Sequence, residues 1–240
     1  MTEPLIVNGK RYDGRTLDQF RPIEMNLNVV KNAKGSATFR FGSTHALAAV
    51  YGPKPFFPKG LQDPQRAILK FRYTMVPFST TERSRPGTSR RNTEISMVLA
   101  NVFRNVIFLE EFPKAGIEIF VDILQAEAST RCAALNAASA ALAIAGVPMR
   151  DLPACCSVGR VDKQLVLDVA GKEDTEGDVD MAVATVGGED RIVLLQMDGI
   201  ITKEEFEKLL KMGVSGCKEL HGFIKKTLEE NYVVGEINEG

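Results

Sequence analysis

Three short stretches of this chain concentrate side chains suited to phosphate and metal chemistry. Between Lys54 and Arg91 lie nine lysines and arginines, with only Asp63 and Glu82 opposing them. That stretch reads largely as loop and closes with Ser89-Arg90-Arg91-Asn92, directly ahead of an apolar periodicity that predicts a helix. Arginines at a helix start favour an anion, because the helix dipole and the free N–H groups act with them. The plain alternative is a solvated charged loop. The second stretch is Glu127-Ala128-Ser129-Thr130-Arg131, at the start of an alanine-rich run. It offers two hydroxyls and a planar guanidinium fork suited to phosphate. N-capping by Ser129 or Thr130 is the plain alternative. The third stretch packs Glu173, Asp174, Glu176, Asp178 and Asp180 into GKEDTEGDVDMAVA. Carboxylates so close repel unless a cation relieves them. Mg²⁺ would suit, since it takes a few carboxylates and completes its shell with substrate oxygens and water. A polar turn between strands is the alternative there. Asp178 and Asp180 would share a face if the following strand begins early.

Other chemistries have weaker footing. The four cysteines (Cys132, Cys155, Cys156 and Cys217) show no metal-ligand spacing, and they fit a reduced, cytoplasmic protein. His45 sits in a hydrophobic strand and His221 in the last helix, where structural roles are expected of both. Neither a Gly-x-Gly-x-x-Gly nor a G-x-x-x-x-G-K-[ST] run is present, which argues against dinucleotide or Walker-type phosphate loops. With no tryptophan and four tyrosines, any base stacking would fall to Phe, Tyr or Arg planes. A net charge of −1 confines nucleic-acid contact to a local patch. The first residues lack a signal-peptide pattern, and no apolar run is long enough to span a membrane.

The elements that must position these residues follow from periodicity. Ile23 to Val29, Ala37 to Phe41 and THALAAVYG read as strands, and LKFRYTMVPF places Leu69, Phe71, Tyr73 and Met75 on one face. A helix over about 92–109 carries Ile95, Val98, Leu99, Val102, Val106 and Leu109 as its stripe. IEIFVDILQ is a strand, and a helix over about 130–145 ends at Gly146 and Pro148. Its alanines predict close packing against a sheet. Strands resume at CCSVGRV, QLVLDVA, DMAVATV and RIVLLQMDG. The last helix, about 203–231, opens with a Thr202/Glu205 capping box, and the acidic tail after Tyr232 reads as frayed. Several strands precede each helix, so the chain reads as α+β.

The order of these features resembles the RNase PH family. YDGRTLDQFRPI is similar to that family's R-x-D-G-R…R-P-I opening, and SRRNTEI, ASTR, YTMVPFST, VPMRDL and DVDMAVA follow in the family's order. The resemblance runs from about residue 10 to 232, and the combination is most similar to the catalytic RNase PH-type subunit of the archaeal exosome. It implies an RNase PH fold (ribosomal protein S5 domain 2-like) of two βαβα-type halves in a single domain, about 10–150 and about 151–232. It implies phosphorolytic 3′→5′ exoribonuclease activity on single-stranded RNA, with inorganic phosphate as co-substrate and nucleoside diphosphates as products. The reverse reaction would add 3′ tails.

Position by position, the resemblance gives Arg91, Ser129, Thr130 and Arg131 to phosphate, and Arg66 and Arg90 to RNA. It makes Asp180 and Asp174 the catalytic carboxylates and the ligands of Mg²⁺, with Mn²⁺ as the alternative. The implied partners are a homologous non-catalytic subunit, in a hexameric ring that is a trimer of heterodimers, and RNA-binding cap proteins. Family members often carry glycine where this chain has Ala128 and Ser129. Three rivals stay open at this point: a bacterial-type RNase PH trimming transfer RNA as a homohexamer, a ring subunit that only holds RNA, and a hydrolytic Mg²⁺ nuclease using the same carboxylates.

Overall fold

The computed structural model describes residues 4–83, 85–87, 89–188 and 190–238. Two small strands open the chain, β1 (Ile6–Val7) and β2 (Lys10–Arg11), paired antiparallel. A five-stranded sheet follows. It contains β3 (Ile23–Leu27), β4 (Gly35–Phe41), β5 (Thr44–Pro55), β6 (Ile68–Met75) and β7 (Ala115–Gln125), in the order β3-β4-β5-β7-β6. Helix α1 (Arg90–Val106) connects β6 to β7, which run parallel. Helix α2 (Thr130–Ile144) leads from this sheet to a second one. The second sheet has β8 (Pro153–Val161), β9 (Gln164–Leu167), β10 (Val179–Val186) and β11 (Ile192–Gly199), in the order β11-β10-β8-β9. A five-residue helix, α3 (Lys172–Glu176), precedes β10, and α4 (Lys203–Asn238) closes the described chain.

Alternation in the first sheet buries Ala37, Phe39, Phe41, Ala46, Ala48, Val50, Ile117, Ile119, Val121 and Ile123 against α2. Helix α2 also packs on β8, so nearly its whole circumference is buried and small side chains are required. Gly35 is one such requirement, because a Cβ there would strike the Ala141 carbonyl and the Ala145 backbone. The helix ends as its sequence predicts. Gly146 is left-handed (φ 69°), its N–H donates to Ala143 O, and the Val147 N–H donates to Leu142 O. In the second sheet, Cys156 and Cys217 of α4 approach to 3.7 Å between sulfurs. All four cysteines are buried free thiols.

The structure differs from the sequence reading in several places. Helix α1 begins at Arg90 and ends at Val106, so both arginines lie in its first turn and Leu109 lies beyond it. The basic stretch includes a full strand, β6, and the end of β5. Its Ser84 and Thr88 lie outside the described residues. Of the acidic run, for which a polar turn is the plain alternative, Glu173, Asp174 and Glu176 fall in the short helix α3, Asp178 lies between it and β10, and Asp180 is on β10. Helix α4 continues past its expected end to Asn238, with Glu239 and Gly240 outside the described residues. The Thr202/Glu205 box forms: Thr202 N–H donates to Glu205 Oε2 at 3.0 Å and Glu205 N–H to Thr202 Oγ1 at 3.3 Å. No described helix is long and apolar enough to cross a membrane.

Candidate active site

One cleft of about 420 Å³ gathers residues from all three chemical stretches. Arg91 and Glu94 of α1, Ser129 to Arg131 at the start of α2, Asp174 of α3, Asp180 of β10 and Asp198 of β11 line it. The register explains how. Asp180 stands opposite Gly159 of β8 and opposite Asp198 of β11, and Ala182 opposite Ser157 and Gln196. Directly opposed residues share a face, so Asp180, Asp198, Ser157 and Gln196 present one polar surface to the starts of α1 and α2. Gln196 Nε2 donates to Glu94 Oε1 at 2.8 Å, tying β11 to α1 across the rim.

Two helix starts supply the positive side. Ser89 caps α1 by accepting the Asn92 N–H at 3.1 Å. Arg91 in that turn and Arg131 in the first turn of α2 both reach the cleft, where the leading N–H groups lack intrahelical partners. The turn before α2 is unusual. Ala128 (φ 61°) and Ser129 (φ 53°) are consecutive left-handed residues, a conformation that glycine adopts without steric cost. Two residues with side chains here take up a glycine-like backbone, at the position where the sequence resemblance implied glycine. Ser129 does not cap α2 through its side chain. Its hydroxyl donates to Val169 O and accepts from Ser157 Oγ, both at 2.7 Å. The expected phosphate hydroxyl is therefore spent latching the turn to the second half of the chain. Thr130 is buried, with its Oγ1 accepting from the Tyr73 hydroxyl at 2.9 Å, which leaves its own proton to donate.

Asp180 has a strongly perturbed carboxyl. Burial, then the neighbouring Asp174 carboxylate, push its pKa up to about 6, while Arg131 and Arg91 pull it down and Asp198 adds a further push upward. Asp178 does not join it. It precedes β10 and pairs with Arg160 at 3.2 Å instead. Glu173 also turns away, buried in an ion pair with Arg11. Among the described residues no three Asp, Glu, His or Cys side chains are grouped tightly enough to hold a metal by themselves. Asp174 and Asp180 still fit Mg²⁺, because that ion needs only one or two carboxylates when phosphate oxygens and water complete its octahedron.

The remaining sequence candidates lie elsewhere. Arg66 is exposed between β5 and β6 and pairs with Asp63 at 3.0 Å. Arg90 is exposed on α1 and is not among the cleft-lining residues. His221 bonds Asp151 at 3.1 Å and His45 sits in β5, so neither histidine enters the cleft. Four polar lining residues escaped the sequence reading: Glu94, Ser157, Gln196 and Asp198. Asp198 had a findable signal, since it mirrors Asp180 across the Gly187-Gly188 turn of a hairpin.

Comparison with known proteins gives consistent matches. The 3′ exoribonuclease family matches in its domain 1 over residues 19–148 and in its domain 2 over residues 151–216. The exosome complex component Rrp41 of Pyrococcus furiosus is 47% identical over 226 residues, which cover 94% of this chain and 90% of that protein. Its counterpart from Nitrosopumilus maritimus is 44% identical over 225 residues, covering 94% and 92%. Among solved structures, rice Rrp46 superposes with a TM-score of 0.82 at 24% identity, covering 91% of this chain and all of that one. The Archaeoglobus fulgidus exosome with RNA bound to the active site gives 0.78 at 24% identity, covering 90% and 92%. At that identity the structural likeness establishes a shared fold.

Proposed function

The chain belongs to the 3′ exoribonuclease (RNase PH) family across both of its domains, and from that premise we propose that it is the catalytic RNase PH-type subunit of an exosome ring. In this reading it degrades RNA from the 3′ end with inorganic phosphate. The observation that carries the reading is the meeting, in one cleft, of two cationic helix starts with the Asp174–Asp180 pair. Arg91, Arg131 and Thr130 hold and orient phosphate. One phosphate oxygen attacks the last phosphodiester in line, the bond from phosphorus to the penultimate ribose 3′-oxygen breaks, and that oxygen gains a proton. A nucleoside diphosphate and a shortened RNA leave. Positioning and charge neutralisation dominate such transfers. In this reading Asp180, whose pKa is pushed up to about 6, supplies the proton. Mg²⁺ held by Asp174 and Asp180 would offset charge on the transferring phosphoryl group. A carboxyl bound to metal has given up its proton, so the pH profile with and without Mg²⁺ separates the two roles.

The identity of 47% to an Rrp41 over 90% of its length supports the ring assignment, with a homologous non-catalytic subunit alternating in a trimer of heterodimers and RNA-binding proteins capping it. Arg66 and Arg90, outside the cleft, are assigned to the RNA that threads the ring, and the assembly is assigned to the cytoplasm. The test is incubation of single-stranded RNA with the chain, alone and with its partner subunit, in the presence and absence of phosphate. Phosphate-dependent release of nucleoside diphosphates is expected. Monophosphate release without phosphate would refute phosphorolysis. Full activity of the chain alone as a homohexamer would favour a bacterial-type RNase PH.

A further inference from the structure

We propose that Arg21 is a positioning residue whose guanidinium sets the phosphate-binding turn 127–131 against the acid-bearing segment 168–174. The inference rests on the phosphorolytic reading of the cleft. Arg21 is 6% exposed and lies behind the cleft, not in it. Its Nε and Nη2 donate to the two oxygens of Asp168 at 2.9 and 2.7 Å, and its backbone N–H donates to the same carboxylate at 2.8 Å. Its Nη1 reaches the other way, to the Glu127 carbonyl at 2.6 Å. One planar fork thus bonds the residue just before the left-handed pair Ala128–Ser129 and the residue that begins the path to Asp174.

That turn is a place where geometry has to be imposed. Two successive non-glycine residues in the left-handed region persist only where their surroundings over-determine them. Arg21 holds one side. Thr44, fully buried, holds another, with its Oγ1 within 2.8 Å of Glu127 O and 2.9 Å of Ala128 O while accepting the Glu127 N–H at 3.0 Å. The Ser129 latch to Val169 holds the third. On the far side, Asp168 keeps a second cation, Arg15, at 3.2 Å, and Arg11 pins Glu173 beside Asp174. A buried ion pair is weak ground for stability in itself. Here its directional bonds place Thr130 and Arg131 relative to the carboxylates. Lysine, a point charge without the fork, cannot meet Asp168 and Glu127 at once.

The test uses Arg21→Lys and Thr44→Val in the full chain assembled with its ring partner. Steady-state phosphorolysis is paired with inorganic phosphate binding measured by calorimetry. The expected result for Arg21→Lys is a phosphate KM and Kd raised by about tenfold, equivalent to about 1.4 kcal/mol. Thr44→Val is expected to show a smaller rise, with kcat and RNA affinity kept within about twofold of wild type in both variants. A merely structural role would lower the active fraction, hence kcat, and leave the phosphate KM alone. If Arg21→Lys fails to fold, Thr44→Val, which leaves the Arg21–Asp168 pair intact, decides the question. Wild-type phosphorolysis with unshifted phosphate affinity in the folded variants overturns the positioning role only. A wild type that works without phosphate overturns the phosphorolytic reading and the positioning role with it.

Discussion

Replacing Asp180 with asparagine should stabilise the protein while abolishing its activity. The Asp180 carboxyl is held at a pKa of about 6, against an ordinary 3.8, chiefly because burial disfavours its charge. A pKa raised by folding means that the native state prefers the protonated form. The associated stability is fully present below pH 3.8 and is lost as pH rises through about 6. The shift of about two units corresponds to roughly 3 kcal/mol forfeited by the wild type at pH 8, with about half of that forfeited at pH 5. This is a ceiling, because the side chain keeps some contact with water. Asparagine matches the protonated acid in shape and never ionises. In metal-free buffer Asp180→Asn should therefore be up to about 3 kcal/mol more stable than wild type at pH 8, raising Tm by roughly 6–12 °C in a domain of this size. The advantage should fall below about 1 kcal/mol at pH 4. Urea unfolding across this pH range measures it, and nucleoside diphosphate release measures the lost function. Added Mg²⁺ should narrow the gap by stabilising only the wild type. Equal stability of the two proteins at pH 8 would refute the burial argument.

Truncating Arg131 or Arg91 to alanine removes a charge-assisted contact of about 1.5–3 kcal/mol, so the phosphate KM should rise by roughly ten- to a hundredfold in steady-state assays. Glu173→Gln strands the fully buried Arg11 charge and should cost about 3–5 kcal/mol in urea unfolding at neutral pH. Asp198→Asn removes one of the charges that lift the Asp180 pKa, so the kcat limb assigned to Asp180 should move to lower pH. An unmoved limb would separate Asp198 from Asp180.

What the sequence made legible was local. The Thr202/Glu205 box and the Gly146 stop each depend on neighbours within one turn, and each formed as expected, whereas the apolar period of α1 ran on to Leu109, beyond the end of the helix. The alanine-rich run announced close packing because only small side chains fit a helix pressed by two sheets. Long-range chemistry was hidden. The hairpin at Asn8-Gly9, a recognised turn signal, has no counterpart among the strands expected from periodicity, the first of which began at Ile23. Helix α3 has no apolar period, and Arg11 anchors it through Glu173, 162 residues away in sequence. The Ser129 hydroxyl was read as a ligand because its sequence neighbours are phosphate-like, whereas its partners, Ser157 and Val169, come from the other half of the chain.

The site depends on that division between halves. The first half contributes cations at helix starts, and the second contributes carboxylates on a strand face and a five-residue helix. In the proposed reaction neither set suffices alone, since phosphate held by arginines would have nothing to neutralise the departing charge, and bare carboxylates would repel the phosphodiester. Their separation is set by α2, which packs on both sheets, and by buried arginines that bond across the junction. Three of these, Arg11, Arg15 and Arg21, come from the opening segment, and each donates to the Leu167–Glu173 stretch. The opening segment thus ties the second half in place from behind, and the register of the cleft passes through guanidiniums that do not line it. Arg11→Lys and Arg21→Lys should accordingly act differently. The first loosens the support of Asp174 and should lower kcat, and the second loosens the turn and should raise the phosphate KM.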